Sequence, residues 1–265
     1  MESTFSAKEV ALRNSKTLAK VRAGKPVRMC SFGHFIPAYI PMAADSGFDC
    51  VWLDAEHRAF TDREIQTLLA YCHRFDIDCM LRPPTLEKSR LYRYLEDGAT
   101  GLMIPHVSTA DRARELVQAV KFPPLGDRGQ DGVGMDAGFL SRGDEYVEHA
   151  NRETFLVVQI ETPQAVENID AIAAVPGVDG MFIGPGDLGL RIRRTETTVT
   201  IAQANAEVAA AAARYGKFWG GPGLSLENIQ HLYGLGAQMI AHGNDYDGLL
   251  AMVRKSSAEL DAIYD

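Results

Sequence analysis

FLVVQIETPQAVENIDAIAAVPGVDGMFIGPGDLG, residues 155–189, decides the fold. Residues 155–161 are almost continuously apolar, 163–175 place apolar residues at helical spacing, and 180–184 are apolar again. A strand that is apolar on both faces has to be covered on both, which points to a parallel sheet whose partners are reached through helical crossovers. Outward from this unit, strand-like runs fall at 27–32, 50–55, 78–83, 101–105, 217–221 and 237–241, making eight. Helical spacing fills 62–75, 86–98, 109–121, 200–216, 225–236 and 246–265. Thr61 and Ser108 stand where N-caps are needed, and Gly98, Gly216 and Gly236 where helices must stop. Eight such units predict an α/β fold of the closed (β/α)8 TIM-barrel type, one domain over residues 1–265. The longest connection, 123–154, contains PPLGDRGQDGVGMDAGF and a predicted helix near 143–151, and loops of that length are often functional.

Composition narrows the function classes. The formal net charge is −8 with Lys and Arg dispersed, so no basic stripe is offered to a nucleic-acid backbone. No apolar run is long enough to cross a membrane and the N-terminus lacks a signal-peptide pattern, so a cytoplasmic protein is expected. Cys30, Cys50, Cys72 and Cys79 lie in or beside apolar segments without metal-site or disulfide spacing, which agrees with a reducing compartment.

In a barrel, catalytic groups come from the C-terminal ends of strands and the loops after them. Those positions hold Gly33 and His34, then Asp54, Glu56 and His57, then Arg82, His106, Gln159 with Glu161, Asp187, and finally Gly220 and Gly221. Glu161 and Asp187 follow adjacent predicted strands, and two carboxylates there suit a hard divalent cation in oxygen coordination. Each could instead cap the helix that follows, and position alone leaves both readings open. Arg82 closes an apolar run and can grip a carboxylate bidentately, or it can pair internally with Asp54 or Glu56. His57 titrates near neutrality and is the natural proton carrier, with Asp54 or a neighbouring carboxylate to orient it. His34 and His106 have no evident role. Each lysine falls in a helix, a loop or a strand start, which disfavours a Schiff-base mechanism, and no G-x-S-x-G elbow or complete dinucleotide fingerprint is present.

GFDCVWLDAEHR (47–58), LRPP (81–84), LEDGATGLMIPHV (95–107), FPPLGDRG (122–129), residues 156–189 and GAQMIAHGND (236–245) together resemble the HpcH/HpaI aldolase/citrate lyase family, in its class II pyruvate aldolase branch. The resemblance implies that Glu161 and Asp187 hold a divalent cation, Mg2+, Mn2+ or Co2+. It implies that Arg82 binds a 2-keto acid, that His57 is the acid/base group supported by Asp54, and that Gln159 and the backbone of Gly184, Pro185 and Gly186 line the keto acid pocket. The implied activity is that of a 4-hydroxy-2-oxoacid aldolase, a carbon–carbon lyase joining or parting a pyruvate-like enolate and an aldehyde. Oxaloacetate decarboxylation, acyl-CoA lysis and a non-catalytic carboxylate-binding barrel are the alternatives. The family pattern also implies a C-terminal helix exchanged between subunits and a homo-oligomer, usually a hexamer. This chain departs from the pattern at Ala55, where glycine is usual, and in the segment QDGVGMDAGF after Gly129.

Overall fold

The computed structural model describes residues 12–139 and 143–264. Among them, eight strands close into one parallel barrel in sequence order: β1 (Val27–Phe32), β2 (Cys50–Asp54), β3 (Asp78–Arg82), β4 (Gly101–Ile104), β5 (Phe155–Ile160), β6 (Gly180–Ile183), β7 (Phe218–Pro222) and β8 (Met239–Asn244). The helices are α1 (Lys16–Arg22), α2 (Tyr39–Asp45), α3 (Asp62–Arg74), α4 (Lys88–Glu96), α5 (Ala110–Val120), α6 (Asp144–Glu153), α7 (Pro163–Glu167), α8 (Ile169–Ala173), α9 (Pro185–Arg194), α10 (Ile201–Tyr215), α11 (Leu226–Gly234) and α12 (Asp245–Tyr264). Alternation along the strands divides the core in two. Met29, Cys50, Met80, Met103, Val157, Phe182 and Met239 fill the barrel interior, while Val51, Leu53, Leu81, Leu102, Val158 and Ile183 face the helical ring. Each such aliphatic side chain taken fully from water contributes about 1.5–3 kcal/mol.

Four differences from the expected pattern have local causes. The stretch 163–175 is two helices, broken at Asn168, whose side-chain amide donates to the Ser108 carbonyl at 2.8 Å. The cap before α5 is Thr109 and not Ser108. The last strand runs three residues further than expected because β8 keeps pairing with β1 as far as Ser31 opposite Asn244, after a register shift. Two short helices, α1 and α2, were not expected: α1 has only seven residues, and α2 carries Pro41 in its first turn, where proline is tolerated but reads as a breaker. α1 has a clear structural duty. Leu18 and Val21 pack on the interior cluster and close the N-terminal end of the barrel.

Candidate active site

The C-terminal ends of β2, β3, β5 and β6 converge on a cavity of about 240 Å³, lined by Arg82, Gln159, Glu161, Asp187 and the backbone of Gly184–Gly186, with Trp52 as one wall. Arg82 is the last residue of β3 and points inward, only 7% exposed. Its Nε and Nη2 donate to the two oxygens of Asp54 at 3.0 and 2.8 Å. Nη1 donates to Gln159 at 3.3 Å and lies 3.1 Å from Glu56, and the guanidinium sits 4.9 Å from the Trp52 ring centre. The internal pair with Asp54 and the approach to the cavity therefore coexist. The bond to Asp54 uses one of the two Nη2 hydrogens. Burial would raise the Asp54 carboxyl, but the bonds and charge of Arg82 outweigh it and hold Asp54 below the usual range.

Glu161 follows β5 and is almost wholly buried. Its Oε1 accepts from the His106 backbone N–H at 2.7 Å and lies 3.0 Å from His106 Nδ1. His106 reaches it through a left-handed backbone, φ 56°, a conformation that a non-glycine residue adopts only where its surroundings impose it. A Cβ on Gly184 would stand 2.6 Å from both Glu161 Oε2 and Gln159 Nε2, so any larger residue there would have to displace these two side-chain ends. Burial chiefly, together with the Asp187 and Glu56 charges, raises the Glu161 carboxyl against the lowering effect of His106.

The cap of α7 is Thr162, whose side chain accepts from Ala165, and the residue preceding α9 is Gly184, with no side-chain cap. Asp187 lies in the first turn of α9 and pairs with Arg191 at 2.7 Å. Neither carboxylate is spent on a helix cap. Among the described residues no three His, Cys, Asp or Glu side chains gather in a metal-binding group. Glu161, buried, and Asp187, partly exposed and paired with Arg191, are hard oxygen donors beside one cavity, and such donors fit a divalent cation that completes its shell with ligand or water.

His57 stands at the rim, and its ring neighbour is Glu56, with Nε2 at 3.6 Å, rather than Asp54. The reason is that Arg82 takes both oxygens of Asp54; what Asp54 gives His57 is acceptance of its backbone N–H at 3.4 Å. Trp52 and Arg191 join the site without having been singled out, whereas Glu56 makes two of the contacts left open above, beside Arg82 and beside the His57 ring. Trp52 was traceable, because it is two residues before Asp54 on one strand and shares its inward face. His34 is not brought to this cavity: its Nδ1 meets Asp245 at 2.7 Å. Gly220 serves strand packing, since a Cβ there would fall 1.6 Å from the Met239 carbonyl.

A parallel eight-stranded barrel with an arginine, a glutamine and two uncapped carboxylates at its C-terminal mouth defines a class of acid-lined barrel sites. The particular family follows from comparison with known proteins. The model of the HpcH/HpaI aldolase/citrate lyase family matches residues 32–251, and the chain belongs to that family. A 2-keto-3-deoxy-L-rhamnonate aldolase from Salmonella paratyphi B is 40% identical over 147 residues, which are 56% of this chain and 55% of that protein. The chain thus spans about half the length of the curated relatives it matches. The crystal structure of an HpcH/HpaI aldolase from Desulfitobacterium hafniense superposes with a TM-score of 0.84 at 32% identity, covering 91% of this chain and 95% of that one. A family protein from Burkholderia cenocepacia gives a TM-score of 0.83 at 26% identity, covering 93% and 99%.

Proposed function

We propose that this chain is a metal-dependent aldolase of the 4-hydroxy-2-oxoacid type, acting on a pyruvate-like 2-keto acid and an aldehyde. The observation that carries the reading is the meeting of Arg82, Gln159, Glu161 and Asp187 at one cavity, with neither carboxylate used as a cap. The family membership and the likeness to a relative named as an aldolase support it. Arg82 would bind the keto acid carboxylate and the oxygen that gains negative charge, through the donor that Asp54 leaves free. Gln159, fixed by Arg82, and the glycine-bounded backbone of Gly184–Gly186 would orient the three-carbon unit. His57 would take the proton of the 4-hydroxyl in cleavage and return it in synthesis, with Asp54 positioning the loop that carries it. Glu161 and Asp187 would hold Mg2+, Mn2+ or Co2+, which supplies Lewis-acid stabilisation of the developing negative charge when bound.

The test is deuterium exchange into the methyl group of pyruvate, followed by proton NMR on chelator-stripped protein with and without each metal. Metal-dependent exchange that disappears in Arg82→Ala or in the Glu161→Ala/Asp187→Ala double variant is expected. No exchange under any metal would refute the aldolase reading and turn attention to oxaloacetate or CoA esters.

We further propose that residues 1–265 form one barrel domain in a cytoplasmic homo-oligomer, a hexamer, with α12 exchanged between subunits. In support, Leu249, Met252, Val253, Leu260 and Ile263 on α12 are 43–76% exposed. Pro26, Val27, Met29, Phe48, Ile229 and Ile240 line an apolar groove beside β1 and β8. All four cysteines are free and buried. Sedimentation as a clean monomer would overturn the exchange.

A further inference from the structure

A second cavity, of about 310 Å³, opens at the same barrel mouth over β1, β2 and β8. It shares the Trp52 wall with the first, and Asp54 lines it from below His57. Four charged side chains face it, and three are already matched within the chain. Asp54 is held by Arg82. Asp245 accepts from the backbone N–H groups of Gly33 and His34 and meets the His34 ring. Asp247 accepts from the Asn244 side chain at 2.8 Å. The fourth, Arg58, has no carboxylate within ion-pair distance among the described residues, and its Nη1 donates to the His57 carbonyl at 3.2 Å.

Arg58 is nevertheless not a free surface chain. It lies across Gly33, where a Cβ would stand 2.7 Å from Arg58 Cγ and 2.9 Å from Nε. The exposed Arg58 chain therefore lies against Gly33 and reaches the rim beside the His57 carbonyl, directly after the residue assigned to proton transfer. Its planar donor fork matches a carboxylate or a phosphate.

We propose that this cavity is the acceptor subsite and that Arg58 selects an aldehyde bearing an anionic oxygen group. The proposal rests on the aldolase reading, and its test separates the two. Pyruvate methyl exchange in the unaltered protein reports on the aldolase reading with no aldehyde present. Condensation is then measured with matched pairs that differ in charge: succinic semialdehyde against butanal for a carboxylate, and glyceraldehyde 3-phosphate against glyceraldehyde for a phosphate.

The unaltered protein should favour the anionic member of at least one pair by about 10- to 100-fold in kcat/KM, the range of a charge-assisted pair. The pair that shows the preference identifies the anion. In Arg58→Gln the ratio should fall towards one, chiefly through a higher KM for the anionic aldehyde, and Arg58→Lys should retain part of it. Exchange without any preference for an anionic acceptor, or a preference that survives Arg58→Gln, would overturn the subsite and leave the aldolase reading standing. Absence of exchange would remove both.

Discussion

The two ends of the barrel use charge in opposite ways. At the N-terminal end, Asp78 is fully buried, yet its carboxylate accepts from Ser15 Oγ and the Thr17 backbone, each at 2.7 Å, and pairs with Arg13 at 2.7 Å. Lys20 and Asp49 meet at 2.6 Å, and Lys121 and Asp179 at 2.9 Å. These contacts fasten α1 over the barrel floor and tie the helical ring to the strands. At the C-terminal end Arg82 is matched to Asp54 and Arg191 to Asp187, but Glu161 and Glu56 leave an excess of negative charge around an open cavity. Matched buried charge holds a fold together, whereas a directed surplus is retained for something that binds. The fold itself is indifferent to which end does which; the parallel strands all deliver their loops to one end, and ligand chemistry gathers there.

If that contrast is right, a substitution at the open end should remove activity more than stability. Arg82→Ala is expected to slow metal-dependent exchange of pyruvate by about 10³-fold, since it deletes the cation facing the developing charge. A fall of less than about tenfold would make Arg82 a partner of Asp54 and no more. The converse belongs to Asp78→Ala, which removes the buried acceptor of the Ser15 hydroxyl, the Thr17 N–H and Arg13 and leaves Arg13 its pair with Asp76. It should cost about 3 kcal/mol in urea unfolding, with exchange per folded molecule retained. Unchanged stability would mean that Leu18, Val21 and the Lys20–Asp49 and Arg22–Glu153 pairs hold α1 without Asp78.

How much of this was legible depended on whether the signal was local. Strands of unbroken apolar residues fell within one to three residues of their places, because a fully buried parallel strand leaves no other reading. The seven residues of α1 are too few for a period, although Ser15 is a proper cap, and periodicity assigns no range to α9 because its two glycines and Pro185 disguise it. At the site, the barrel rule picked out Arg82, Gln159, Glu161 and Asp187 from strand ends alone. It did not reveal that Arg82 takes both oxygens of Asp54 and leaves Glu56 beside the His57 ring. Nor did it show that His106 reaches Glu161 through a left-handed backbone, or that Arg58 lies over Gly33. Those facts depend on register between strands distant in sequence, and a single chain read along its length carries no direct trace of it.

A smaller effect tests the glycine that separates the two carboxylate-bearing strands. Gly184→Ala places a methyl group 2.6 Å from Gln159 Nε2 and Glu161 Oε2, both of which must shift. The backbone at φ −98° accepts alanine, so the fold should survive. Exchange should fall about tenfold, in line with the sensitivity of positioned groups to small displacements, together with weaker protection by Mn2+ in thermal melts. Full activity would show that the pocket is looser than the distances indicate.

The smallest effect concerns the sign of the surplus. Glu161 is held above its ordinary value of 4.5, by burial first and by Asp187 and Glu56 in addition. The folded protein therefore binds this proton more tightly than the unfolded chain does. Its contribution to stability falls as pH rises from the unfolded value through the folded one, and the loss persists above that window. In metal-free protein, Glu161→Gln has no such proton to lose. The Tm of the variant minus that of the parent should then grow with pH across the window and level off, by about 1–3 °C. Mn2+ should reverse the deficit in the parent and not in the variant. A difference that instead shrinks with rising pH would mean that ionised Glu161 is stabilised by the fold, like a carboxylate at the closed end, and the two ends of the barrel would then handle charge alike.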